Sequence, residues 1–127
     1  MKKKILVIDD NPMILFSVKE GLEEKFDTFD VDGAKGGTEC FELLNQGKIP
    51  DLILLDIMMP GMSGWDVYAR LQEDETWKQI PIIFLTAKTD DYSKGFGKLV
   101  SEDYVEKPFE LDELAQRIEE ALKKKGE

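Results

Sequence analysis

A chain of 127 residues, 42% hydrophobic and 35% charged, is long enough to bury one core without staples and fits a single domain over 1–127. Its formal charge of −10, with basic runs only at Lys2–Lys4 and Lys123–Lys125, argues against direct binding to nucleic acid or to an anionic membrane, which needs clustered Lys and Arg. The one cysteine, Cys40, has no second thiol to pair with, and the apolar run after Lys4 is too short for a signal peptide or a membrane span, so the expected compartment is the cytoplasm.

In chain order, Ile5–Ile8 is a short run of branched apolar residues and reads as a buried strand. Ile14, Leu15, Val18 and Leu22 follow at helical spacing. Phe29–Val31 is a weaker strand among Asp27, Asp30 and Asp32, the polarity expected at a sheet edge. Cys40, Leu43 and Leu44 mark a second helix, with Cys40 as a core thiol. Leu52–Leu55 is the second buried run. A third helix carries Trp65, Tyr68, Ala69 and Leu71 and begins at Ser63, which with Asp66 three residues on has the spacing of a capping box. Ile82–Leu85 is the third buried run. Tyr92, Phe96, Leu99 and Val100 predict a fourth helix, weakened by Gly95 and Gly97 at roughly 1 kcal/mol each relative to Ala. Tyr104–Val105 reads as the other edge strand. Leu111, Leu114, Ala115, Ile118, Ala121 and Leu122 form the most regular helical stripe, the fifth. Alternation of strand and helix predicts an α/β fold, with five helices on both faces of a parallel sheet.

Each central run ends in a chemically capable residue: Asp9 and Asp10 after the first, Asp56 after the next, Thr86 after the last. Parallel strands carry their C-terminal ends at one edge, where open α/β sheets bind ligands, and Lys107 can join that edge from behind the final strand. Three carboxylates gathered there repel one another unless a cation sits among them. Oxygen ligands, with no histidine in the chain, select a hard ion such as Mg²⁺. With a metal in place, an exposed Asp56 carboxylate can act as nucleophile toward a phosphoryl group, while Lys107 offsets charge and Thr86 donates a hydrogen bond. Taken singly, these residues have plainer readings. Asp9 or Asp10 can cap the helix after Asn11-Pro12, Asp56 can cap the next turn, Thr86 can serve as a cap or turn residue, and Lys107 can be a solvated lysine. A structural account of all of them needs several coincidences at one sheet edge.

VIDDNP at 7–12, LLDIMMPGMSG at 54–64, FLTAK at 84–88 and DYVEKPF at 103–109 together resemble the receiver domain of two-component response regulators, over essentially the whole chain. The resemblance implies a five-stranded parallel sheet of order 2-1-3-4-5, flavodoxin-like and doubly wound. It makes Asp56 the phosphoacceptor and gives Mg²⁺, or Mn²⁺ in its place, the ligands Asp9, Asp10, Asp56 and the main-chain carbonyl of Met58. Thr86 becomes the switch hydroxyl, Ala87 its small neighbour, Lys107 the phosphate-contacting lysine and Tyr104 the switch aromatic, for which a half-buried edge-strand position is the plainer reading. The Lys107–Pro108 peptide is expected to be cis. Met58 and Lys88 occupy the places that tune dephosphorylation; for the Met58 and Met59 side chains the plainer reading is apolar packing over a loop. Val100, Ser101 and Glu102 depart from the Gly-Ala pair usual before the last strand, which suggests a pliable fourth helix.

The partners implied are a histidine kinase or phosphotransfer protein as donor, and an effector on the face made by the fourth helix, fifth strand and fifth helix. A phosphorylation-dependent homodimer is left open. Three other classes compete. An Asp-nucleophile phosphatase of the haloacid dehalogenase type needs an acid two places after its nucleophile, where this chain has Met58. A flavodoxin-like electron carrier needs a Ser/Thr/Gly-rich loop where this chain has two acids. A receiver-like scaffold that is never phosphorylated would have no need of intact Asp56, Thr86 and Lys107.

Overall fold

The computed structural model describes residues 2–87 and 103–126. Five strands form one sheet: β1 (Lys3–Ile8), β2 (Phe29–Ala34), β3 (Leu52–Asp56), β4 (Ile82–Ala87) and β5 (Asp103–Lys107). Their order is β2-β1-β3-β4-β5, and every neighbouring pair is parallel. Four α-helices lie among the described residues: α1 (Pro12–Lys25), α2 (Gly37–Asn45), α3 (Gly64–Gln72) and α4 (Leu111–Gly126), the last being the fifth helical stripe of the sequence. A 3-10 turn (Trp77–Gln79) precedes β4. The fourth helix expected around Tyr92–Val100 lies outside the described residues.

The pleat of the central strands divides the core in two. On one face Leu6, Ile8, Ile53, Leu55 and Phe84 pack with Cys40, Phe41 and Leu44 of α2 and with Val67 and Leu71 of α3. On the other, Ile5, Val7, Leu52, Leu54, Ile83 and Leu85 pack with Val18 and Leu22 of α1 and with Leu114, Ala115 and Ile118 of α4. β3 is buried along its whole length, so apolar residues face both ways and the run is continuous instead of alternating. At roughly 2 kcal/mol for each fully buried Leu or Ile, this sandwich is the main source of stability. β2 and β5 are the sheet edges, as their polar flanks predict.

Strand boundaries differ from the apolar runs in one consistent way. Asp56 pairs with Leu85, Thr86 with Glu106, and Ala87 with Lys107, so these polar residues belong to the ladder where the sequence reading put them beyond it. Backbone pairing does not depend on the side chain, and hydropathy therefore marks strand ends too early. Two stripes also shift. Ala69 is exposed and Val67 is buried in α3, and Phe41 joins the buried face of α2. Cys40 is fully buried, and burial pushes its thiol up to about 12, as befits an inert core cysteine.

Candidate functional site

Local chemistry sets each site residue in place. α1 starts immediately after β1 because the Asn11 side chain accepts from the Met13 N–H and Pro12 occupies the first turn, where its missing N–H costs nothing. The cap is thus Asn11, and Asp9 plays a different part: its Oδ1 accepts from the Asn11 N–H at 2.9 Å, which fixes the carboxylate in a buried position. After β3, Gly61 takes φ 78°, a left-handed conformation natural to glycine, and the chain returns to start α3. Ser63 and Asp66 form the full capping box, and the Gly64 N–H bonds the Ile57 carbonyl at 2.8 Å, closing the loop over the end of β3. A side chain at Gly64 would run into the Asp56 carbonyl and Ile57 Cα, so only glycine allows this approach.

Lys107, the last residue of β5, reaches back across the sheet edge. Its Nζ lies 2.8 Å from Asp9 Oδ2 and 3.2 Å from Asp56 Oδ1. Asp10 completes the group, with one carboxylate oxygen from each of Asp9, Asp10 and Asp56 within 4.8 Å of one another. Asp9 and Asp56 are buried and Asp10 is exposed, so the cluster meets solvent at Asp10. The expectation of an exposed Asp56 is therefore corrected: at 5% exposure it lies beneath the surface, because β3 is covered on both faces up to its final residue.

The electrostatics follow from that burial. Asp56 is pushed up from 3.8 to about 7, first by desolvation and then by the charge of Asp9; Lys107 pulls in the opposite direction and Asp10 adds a smaller upward push. The ion pair with Lys107 thus exists without keeping Asp56 in the ordinary carboxylate range, since one ammonium serves two buried acids. Burial also works against the charge on Lys107, but its hydrogen bond to Asp9 and the two carboxylates outweigh it, and the ammonium is held above its ordinary value. With Asp56 ionised, three carboxylates against one ammonium leave a deficit of two positive charges. Hard oxygen donors with that deficit fit one divalent cation, and Asp9, Asp10 and Asp56 are the side chains that could hold it.

The remaining predicted residues sit around this cluster. Thr86 is buried in β4 and its hydroxyl donates to the Ala87 carbonyl at 3.1 Å; Ala87 itself is exposed. Tyr104 is half-buried against the cluster that contains Phe84, its partner in the ladder. The Lys107–Pro108 peptide is cis. Met58 is 69% exposed while Met59 is buried, so of these two side chains only Met59 packs over the loop. Lys88 lies outside the described residues. Sequence reading missed Gly64, whose signal is its place directly after the Ser63 cap, and Asn11, whose signal is the Asn-Pro pair.

Comparison with known proteins agrees with this geometry. The family model of the response regulator receiver domain matches residues 5–119. The chain is 41% identical over 129 residues to the DNA-binding response regulator MtrA of Mycolicibacterium smegmatis, covering 98% of this chain and 52% of that protein. It is 38% identical to the phosphate regulon transcriptional regulatory protein PhoB of Pseudomonas aeruginosa, covering 98% and 53%. The chain therefore spans about half the length of these curated relatives. Among solved structures, the chemotaxis protein CheY4 of Vibrio cholerae superposes with TM-score 0.83 at 27% identity, covering 95% of this chain and 99% of that one. The receiver domain of Francisella response regulator 1452 gives 0.82 at 31% identity, covering 97% and 98%. With its five parallel strands in the order 2-1-3-4-5, this chain belongs to the response regulator receiver domain family of two-component signal transduction.

Proposed function

We propose that residues 1–127 act as one phospho-accepting unit in which Asp56 takes a phosphoryl group from a histidine kinase or phosphotransfer protein. The observation that carries this reading is the buried Asp56 carboxylate at the C-terminal end of the central strand, bridged by Lys107 and faced by Asp9. An Asp56 carboxylate oxygen forms the new bond to phosphorus as the bond from phosphorus to the donor's imidazole nitrogen breaks, and the electron pair leaves with that nitrogen. The donor histidine lies outside these 127 residues, which contain none. Lys107 offsets charge on the phosphoryl oxygens. Thr86 gives up its bond to the Ala87 carbonyl to donate to one of them, Ala87 leaves room for the movement, and Tyr104 follows inward.

Mg²⁺, or Mn²⁺ in its place, held by Asp9, Asp10, Asp56 and the main-chain carbonyl of Met58, would supply the two positive charges that the cluster lacks. Dephosphorylation at the same site is slow in this reading, because the exposed Met58 side chain offers no group to orient an attacking water. The output surface is the face that β5 and α4 help to form, and the phosphoryl charge changes its partners, a second copy of the domain among them. The curated relatives with DNA-binding in their names are about twice as long, and the −10 charge of this chain gives no reason to place nucleic-acid contact in this unit. No helix among the described residues is long and apolar enough to cross a membrane.

The test is incubation with Mg²⁺ and a small acyl phosphate. One base-labile phosphoryl group is expected, absent from Asp56→Asn. Absence of any mass gain in the unsubstituted protein would overturn the proposal.

A further inference from the structure

β2 is an edge strand, and an edge exposes a row of unpaired N–H and C=O groups on which another strand can form. At Val31, in the middle of β2, both groups are taken by side chains of α1. The Val31 N–H donates to Glu23 Oε2 at 2.8 Å, and the Val31 carbonyl accepts from Lys19 Nζ at 2.8 Å. Lys19 and Glu23 are also paired with each other at 3.1 Å, one helical turn apart. Together they reproduce the donor and acceptor that one residue of a neighbouring strand would offer. On the same strand Asp30 and Asp32 are exposed, which places like charges along any strand pair formed here.

We infer that Lys19 and Glu23 form a plug that closes the β2 edge to a second copy of this chain. The partner the unplugged edge fits is its own β2. Two copies related by a twofold axis would run antiparallel, and Val31 opposite Val31 would exchange both hydrogen bonds. The Glu23 carboxylate is held below its ordinary range, chiefly by its bond from the Val31 N–H, so the acceptor stays charged at neutral pH. The plug is specific to the side chains of α1 and does not depend on Asp56 or on phosphorylation.

The experiment compares the unsubstituted protein, Lys19→Ala/Glu23→Ala and Glu23→Gln by light scattering across a dilution series and by amide exchange. In dilute solution the double variant should exchange the Val31 amide at least about tenfold faster, as expected for loss of a hydrogen bond to a charged acceptor. On concentration it should dimerise and protect Val31 again, more strongly when Asp30→Thr and Asp32→Thr are added. Glu23→Gln keeps an acceptor and should remain monomeric. If the double variant melts, Lys19→Met/Glu23→Met replaces it, since it frees both the N–H and the carbonyl of Val31 while keeping residues that favour a helix. A folded variant lacking both the Lys19 and Glu23 caps that stays monomeric at every concentration, or a dimer whose newly protected amides lie away from β2, overturns the inference.

Discussion

Replacing Asp56 with Asn should stabilise the metal-free protein, and the gain should depend on pH. Folding raises the Asp56 carboxyl from 3.8 to about 7, a little over three units. At about 1.4 kcal/mol per unit, ionising it in the folded state costs at most about 4 kcal/mol relative to ionising it in the unfolded chain. The sign follows from proton uptake. Between pH 4 and 7 the folded state holds a proton that the unfolded state has lost, so stability falls as pH rises through this window and levels off above it. Asn is close in shape to the protonated acid and carries no such penalty, although its amide N–H₂ is poorly placed beside the Lys107 ammonium. A net gain of about 2–3 kcal/mol at pH 8, shrinking toward zero near pH 4, is therefore expected. Urea unfolding of both proteins in chelator, across pH 4–8, measures it. Equal stability at pH 8, or a difference that does not change with pH, would refute the claim that burial and Asp9 strain this acid.

Metal binding should release protons near pH 6 and fewer near pH 8.5, because the raised Asp56 must ionise to serve as a ligand; calorimetric titration of Mg²⁺ in buffers of different ionisation enthalpy reads this directly. The phosphoryl group on Asp56 should persist for minutes or longer at 25 °C, since Met58 cannot orient water; loss of label within seconds would contradict this. Gly64→Ala should cost about 2 kcal/mol or more through its collision with the Asp56 carbonyl, and should slow phosphorylation while every acid remains in place. Leu54→Ala, in the fully buried strand β3, should cost about 3–5 kcal/mol in chemical unfolding without altering the acid cluster.

Much of the fold could be read from local signals. The three apolar runs became the three central strands because only a strand covered on both faces tolerates such continuity. The Ser63–Asp66 cap was visible because its two hydrogen bonds lie within four residues. The phase of α3 was harder to read. Gly64, Val67 and Leu71 turn inward while Trp65 and Tyr68 lie at the flank, and a spacing of three and four fits either face until the sheet selects one. Strand ends were missed for a related reason: Asp56, Thr86 and Lys107 pair through backbone atoms that hydropathy does not register.

By itself the sequence determined the order of strands and helices among the described residues and which residues would meet at the C-terminal edge, because parallel strands bring their ends together whatever their separation along the chain. Only the tertiary structure decided how those residues share charge. Lys107 lies 98 residues from Asp9 and 51 from Asp56, yet it bonds both, and the two acids compete for it in a place that water scarcely reaches. Desolvation is a property of everything packed around a group, so no local pattern could have put Asp56 near 7. The same holds at the β2 edge, where Lys19 and Glu23 look like an ordinary helical ion pair until the fold lays them across the backbone of Val31.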